Sequence, residues 1–462
     1  MVLSVLKRFL HILKHIFFGT YARGFFTSYL LAILIGAAFL KLPVSLQSGV
    51  SLAWTDALFT AASALSVTGL STIVIKDVFT TFGLFVMLFI IQFGGIGLIM
   101  MVALFWLVAR RKIGFKQRNM IVTDQNQLSR QGIVRFIRNV LIMIFTIEVI
   151  AFLIISNYLY LAGYFAYPEA LMQGVFLTIS LFTNAGFDIA PGADSFQMFA
   201  SDYVMQFIGM SLIFLGGVGF WVLAEVREFI AAKIHREKFK FSLFVRMIIS
   251  LHVFFWIFGA IVIALFEWNG FLADKGATQS VFYSLFMSLT TRNAGFSTMD
   301  INDFSATTRL FLMVLMFVGA SPNSVGGGVR TTTVLIVLMS MKAFMFGREH
   351  VVTRGRMIKE ETVKKSFVAV IAGVFVIGTG LFILSLSEVQ PLPHIAFEVT
   401  SAFGTTGLST GVTPNLSVLG KMTLVMIMFI GRLGILALLL MFRPQRQSVR
   451  AATYPEIDVI VG

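Results

Sequence analysis

Ser401-Ala-Phe-Gly-Thr-Thr-Gly-Leu-Ser-Thr410 decides the fold of this chain, because the sequence carries three further versions of it. Ser63-Ala-Leu-Ser-Val-Thr-Gly-Leu-Ser-Thr72 is a near copy, and Ser180-Leu-Phe-Thr-Asn-Ala-Gly-Phe-Asp188 and Ser288-Leu-Thr-Thr-Arg-Asn-Ala-Gly-Phe-Ser-Thr298 are looser ones. Each centres on one glycine: Gly69, Gly186, Gly295 or Gly407. Their separations of 117, 109 and 112 residues indicate one unit used four times.

Outward from these phrases, each is preceded by an apolar segment too short to cross a bilayer: Leu52–Leu65, Ala170–Thr183, Gln279–Thr291 and His394–Gly404. A spanning helix needs about 20 apolar residues, whereas segments of about 10–14 are typical of re-entrant elements. Eight longer stretches flank them in pairs, at approximately 25–42, 80–109, 137–161, 204–226, 245–267, 310–341, 366–386 and 419–442. With 57% of 462 residues hydrophobic, 13% charged and a mean hydropathy of +0.89, the chain holds more apolar surface than a soluble core of this length buries. The expected fold is an all-α integral membrane protein: eight transmembrane helices plus four re-entrant pore half-helices, as four helix–pore–helix repeats around one pore. The expected units are 1–119, 120–238, 239–355 with an interrupted second helix, and 356–462 with a C-terminal tail.

Lys and Arg set the orientation. Segments 1–24, 110–138, 227–246, 342–365 and 443–462 hold 28 of the 36, and all five fall on one side if eight helices are counted. The positive-inside rule makes that side cytoplasmic, with both termini on it. The formal charge of +14 is thereby read as membrane topology and not as nucleic-acid binding. Residues 1–26 carry Lys7, Arg8, Lys14 and Arg23 without a small-residue cleavage site, a cytoplasmic lead-in and not a cleaved signal. The chain has no Cys, its six His lack metal-ligand spacing, and its cytoplasmic segments are too short for a domain with its own core, so no enzyme is expected.

Non-helical backbone at membrane depth is tolerated only where protein buries it or it lines a water-filled cavity. Four copies around one axis enclose such a cavity and bring sixteen backbone carbonyls together: Ser66, Val67, Thr68 and Gly69; Thr183, Asn184, Ala185 and Gly186; Arg292, Asn293, Ala294 and Gly295; Gly404, Thr405, Thr406 and Gly407. Carbonyl rings replace the hydration shell of a monovalent cation. Glycine at the outer ring lets the backbone take positive φ with no Cβ in the way, and the half-helices aim the negative ends of their dipoles at the same place. The competing reading, close-packing glycines in membrane helices, does not account for four at near-constant spacing.

The second helices depart from the repeat at two places. Gly94-Gly-Ile-Gly97 and Gly216-Gly-Val-Gly219 correspond to Gly431-Arg-Leu-Gly434, so Arg432 occupies the place of Gly95 and Gly217. An intramembrane arginine faces a cavity or an acidic partner; it either lies below the filter as a fixed positive charge or forms a structural ion pair, with Glu148 as the candidate. In the third unit the helix is interrupted by Ser321-Pro-Asn-Ser-Val-Gly-Gly-Gly-Val-Arg-Thr-Thr-Thr333, following Gly319. Pro322, Gly326, Gly327 and Gly328 cannot continue a helix, and the polar loop with Asn323, Ser324 and Arg330 is expected to line the pore. A simple kink is the alternative. Among lesser signals, Asp56 and Glu169 stand near helix starts, and Glu398, lying deeper, is expected to pair with Arg292.

These four phrases, the broken third-unit helix and Arg432 together resemble the membrane subunit of a Ktr-type potassium uptake system, in the Trk/Ktr/HKT superfamily, over about residues 25 to 455. The resemblance implies a single potassium path with one filter glycine per unit, and all four are Gly here. It implies that 319–330 is an intramembrane gate loop, with Arg330 where many relatives have lysine. It also implies a homodimer on a cytoplasmic ring of nucleotide-binding regulatory subunits, the nucleotide being held by that partner, with loops 227–246 and 342–365 and the tail Arg450–Gly462 as the docking surface. Sodium coupling and sodium activation both stay open. The alternatives are a sodium-permeable or unselective cation transporter of the same fold, or a secondary transporter with alternating access, which would call for inverted repeats.

Overall fold

The computed structural model describes residues 21–97, 100–104, 133–190, 195–353 and 355–442. The lead-in at 1–20, most of the basic segment 110–138 and the tail 443–462 lie outside the described residues.

The same order of elements recurs four times. α1 (Tyr21–Leu40) is followed by the short helix α2 (Trp54–Ser66) and by α3 (Thr81–Ile96). α4 (Ile133–Leu161) leads to α5 (Tyr167–Thr183), α6 (Tyr203–Gly217) and α7 (Phe220–Ile234). α8 (Leu243–Phe266) leads to α9 (Ala277–Thr290), α10 (Ala306–Phe317) and α11 (Thr331–Met345). After a small hairpin, in which Val352 pairs with Met357 and Thr353 with Arg356, come α12 (Glu360–Ser387), α13 (Leu392–Gly404), α14 (Val418–Leu433) and α15 (Ile435–Phe442). The short helices α2, α5, α9 and α13 end within about three residues of the expected positions.

The second helices start alike. Thr80, Asp202, Ser305 and Ser417 cap α3, α6, α10 and α14 by accepting backbone N–H groups of the first turn, each worth about 1 kcal/mol. Residues at or just past the ends of the preceding long helices reinforce three of these caps. Tyr158 and Tyr164 donate to Asp202, Ser305 donates to Glu267 at 2.7 Å, and Ser417 donates to Glu388 at 2.6 Å.

The described helices are not all of spanning length. Among the described residues three are long and apolar enough to cross a membrane, Val134–Leu161, Leu243–Phe266 and Glu360–Ser387, with α6 and α7 forming a fourth only if counted as one span bent by 103°. Every second helix is broken, not the third alone. α3 stops at Gly97 (φ 97°), α6 and α7 meet at Gly219 (φ 105°), and α14 and α15 meet at Gly434 (φ 85°). With ψ of 131°, 146° and 136°, this is backbone that side chains rarely adopt.

The arrangement is ringlike. α3 packs on α5, α6 on α9, α10 on α13, and α14 returns to α2, so each second helix meets the short helix of the next unit. The long helices lie outside: Val149, Leu153, Phe254, Ile261, Ile371 and Phe375 are large, apolar and exposed. The short helices lie inside, burying Phe59, Phe176, Phe286 and Phe397 completely. This inverted distribution, apolar outside and Ser/Thr-rich within, suits a lipid surround.

Candidate functional site

The four glycines meet. Gly69, Gly186, Gly295 and Gly407 have φ of 96°, 70°, 73° and 94°. A Cβ on Gly69 would lie 2.6 Å from the Ala185 carbonyl and 2.9 Å from the Gly186 Cα; one on Gly186 would lie 2.9 Å from the Ala294 carbonyl and 3.2 Å from the Gly295 Cα. A Cβ on Gly295 would overlap the Thr406 carbonyl and lie 3.0 Å from the Gly407 Cα, and one on Gly407 would overlap the Thr68 carbonyl and lie 3.1 Å from the Gly69 Cα. The circuit closes in chain order. The carbonyls of Thr68, Ala185, Ala294 and Thr406, one per unit, sit at this ring.

The approach to the ring is strained in three units. Val67, Asn184 and Thr405 cap their helices in left-handed conformation, φ 57°, 56° and 49°, uncommon for any residue but Gly and hardest on the β-branched Val67 and Thr405. Behind them Ser63 and Ser401 accept the amides of Gly69 and Gly407 at 3.2 and 3.1 Å, and Ser180 accepts that of Phe187 at 3.1 Å. Ser66 and Thr68 share a hydroxyl contact at 2.7 Å. Thr406 donates to the Thr291 carbonyl at 3.3 Å.

The third unit differs because its brace stands five residues before the glycine, where the other units have Ser at six. Thr291 stays right-handed (φ −59°), and Thr290 makes the brace, donating to the Phe296 carbonyl at 2.7 Å. Arg292, three residues before its glycine like Ser66, Thr183 and Gly404, therefore lies beyond the end of its short helix, whereas those three are the last residues of theirs. Its guanidinium is buried against the His252 ring, with N···N distances of 3.4 Å. The expected pair with Glu398 does not form, because that carboxylate is filled by hydroxyl and amide donors of residues 409–413.

The loop between α10 and α11 lies against the helix side of the ring. The Gly327 amide donates to Thr405 Oγ1 at 2.8 Å and to Asn293 Oδ1 at 3.1 Å. A Cβ on Gly326 would overlap the Asn293 amide, and one on Gly327 would lie 2.6 Å from the Thr405 side chain. Gly319 packs on Gly327, and Gly328 takes φ 72°. Ser321 and Val325 donate their amides to the Gly217 and Gly216 carbonyls, while Asn323 (φ 54°) accepts the Phe220 amide at 2.7 Å and the Pro322 carbonyl faces Gly219. Ser324 and Arg330 bond within the loop, to the carbonyls of Ser321 and Gly326.

Arg432 completes the closure. Its guanidinium donates to the Val325 carbonyl of the loop, to the carbonyls of Gly94 and Gly95 in α3, and to Tyr29 of α1 at 3.3 Å. Glu148 is not its partner: that carboxylate accepts Gln92 Nε2 at 2.8 and 2.9 Å. Backbone oxygens, and not the candidate acid, hold the guanidinium. Two guanidinium groups, Arg330 and Arg432, are thus fixed by loop carbonyls beneath the ring.

On the opposite side of the ring lies a cavity of about 450 Å³, lined from all four units by Gly69, Gly186, Gly295 and Gly407 and by the turns that follow them. Those turns share a device that the sequence reading did not anticipate. Ser71, Asp188, Ser297 and Ser409, each two residues past its glycine, accept the amide two residues further on. The signal is a Ser or Asp at one fixed offset in all four phrases. Also unanticipated is the role of the first glycine of each second-helix motif, since a Cβ on Gly94, Gly216 or Gly431 would overlap the Leu65, Phe182 or Phe403 carbonyl at a short helix's end.

The family model described as TrkH, cation transport protein, matches residues 33–451. The chain is 41% identical to the Ktr system potassium uptake protein D of Bacillus subtilis over 94% of this chain and 95% of that one. It is 33% identical to the Ktr system potassium uptake protein B of the same organism and 32% identical to the potassium/sodium uptake protein NtpJ of Enterococcus hirae, each over 96% of both chains. Among solved structures the potassium transporter TrkH of Vibrio parahaemolyticus superposes with a TM-score of 0.73 at 19% identity, over 92% of this chain and 85% of that one.

Proposed function

Because this chain belongs to the TrkH family of cation transport proteins, as a membrane subunit of the Ktr/Trk potassium-transporter type, we propose that it carries potassium across the plasma membrane through its glycine ring. The closed ring of Gly69, Gly186, Gly295 and Gly407 is the observation that carries this reading. Carbonyls at such a ring substitute for water around a monovalent cation, and the C-terminal ends of α2, α5, α9 and α13 add partial negative charge beside it. The cavity is the outer entry. The loop 319–330, wedged under the ring and held by Arg330 and Arg432, is a closed gate whose displacement opens the path.

Four units running in one direction around one axis fit a channel-like path better than alternating access, which builds on inverted repeats. The subunit acts as a homodimer on a cytoplasmic ring of nucleotide-binding regulatory subunits, both termini cytoplasmic, in keeping with the distribution of Lys and Arg. The name of the Enterococcus hirae relative favours testing sodium as activator or co-substrate.

The test is uptake in a bacterium lacking its own potassium transport, supplied with a regulatory partner and assayed with and without sodium. Wild-type chain restores growth at low potassium; Gly407→Ser, whose Cβ overlaps the Thr68 carbonyl, loses uptake or its potassium preference. Absence of rescue by membrane-inserted wild type overturns the reading.

A further inference from the structure

The four turns that follow the ring glycines are alike in their backbone and unlike in what anchors them. In the first and third units the turn closes on itself: Ser71 donates to the Ile73 carbonyl at 2.6 Å and Ser297 to the Met299 carbonyl. In the fourth, Ser409 donates instead to Glu398, at 2.7 Å. The same Oε1 accepts the Thr410 amide at 2.8 Å and the Thr410 hydroxyl at 3.2 Å, while Oε2 accepts the Thr413 hydroxyl at 2.5 Å. Glu398 stands on α13 and is 0% exposed. Donors converging from one turn suit a carboxylate, which in its ionised form is acceptor-only at both oxygens, and charge-assisted bonds to that form are about twice as strong as neutral ones.

No other unit has a carboxylate at this place. Nine residues before the remaining glycines stand Thr60, Leu177 and Phe286. The tethered turn also lies at two seams. Asn302 of the third unit donates to the Thr410 carbonyl at 3.3 Å, and Gly407 meets Thr68 and Gly69 where the fourth unit closes on the first. A buried carboxylate so placed does more than cap a loop, since the backbone it fixes is continuous with the ring.

We propose that Glu398 is a positioning residue for cation discrimination, holding residues 409–413 and through them the Gly407 backbone at the spacing that fits potassium. The proposal deepens the transport reading and rests on it. Removing the charge leaves the turn tied at one end only, and the ring relaxes at the seam between fourth and first units.

The experiment uses the full-length chain in liposomes and follows rubidium uptake in competition with potassium or sodium. Glu398→Gln lowers the preference for potassium over sodium about tenfold, the scale of one charge-assisted hydrogen bond, through the half-saturating concentration and not the maximal rate. Thr413→Val shifts it in the same direction by less. Glu267→Gln is the control: another buried carboxylate bonded to Ser305 and Thr308, outside the turns, it lowers thermal stability and leaves the preference alone. Wild-type preference in folded Glu398→Gln overturns the proposal, and so does an equal shift in Glu267→Gln. If Glu398→Gln does not reach the membrane, the Ser409→Ala, Thr413→Val double variant decides, an unchanged preference again being fatal. Absence of uptake by the wild type, by contrast, sinks the transport reading and this proposal with it.

Discussion

Arg432 shows how one side chain ties units distant in sequence. Its bonds to the Val325, Gly94 and Gly95 carbonyls join the fourth unit to the third and the first, and charged donors contribute about 1.5–3 kcal/mol each where water is excluded. Arg432→Ala is expected to raise the maximal uptake rate about tenfold, because the loop loses its cross-unit clasp; rubidium flux into liposomes at saturating substrate measures it, and an unchanged or lower rate in folded protein contradicts it. Arg432→Lys should lie between, since an ammonium cannot reproduce the planar fork. The sequence makes the position conspicuous, and of its two readings the ion pair with Glu148 is the one that fails. Intramembrane charge invites a search for acids, whereas backbone carbonyls, the actual acceptors, have no signature in composition or spacing. The same reasoning misassigns Glu398, whose donors are hydroxyls and an amide of its own unit.

At the scale of elements, the short helices and the break in the third unit are legible in the sequence, and the breaks in the other three units are not. The ends of α2, α5, α9 and α13 follow from apolar segments running into polar glycine phrases. Gly97, Gly219 and Gly434 align correctly yet read as continuing helix, because glycine within an apolar stretch usually signals close packing and its φ leaves no trace in hydropathy. Their substitution separates two costs. A Cβ on Gly434 would meet open space, so Gly434→Ala carries only the backbone penalty, about 1–3 kcal/mol. Gly219→Ala adds a contact 2.7 Å from the Pro322 carbonyl of the loop, and should depress the apparent melting temperature of the solubilised protein further while raising flux. Equal shifts in the two variants would refute this division. Deleting residues 324–329 should likewise raise flux if the loop occludes the path, with unchanged or lost flux in folded protein the contrary result.

The molecule as a whole is a ring closed by contacts of unequal weight. Lys421 of the fourth unit and Asp56 of the first pair at 2.8 Å with side chains only 13% and 19% exposed, whereas Lys76 and Glu169, joining the first and second units at the same distance, are 36% and 46% exposed. Exposed pairs contribute about 0–1 kcal/mol, so Glu169→Gln should leave thermal stability within error and Asp56→Asn should lower it measurably; the reverse order would show that burial does not set their worth. The placing of α14 against α2 also has a consequence for manufacture. A chain leaving the ribosome completes its first three units with the seam still open, and the last quarter of the ring and Arg432 both come only with the fourth unit. On the proposed reading, the last ring segment and the residue that clasps the gate both belong to the fourth unit, so a copy lacking that unit encloses no path.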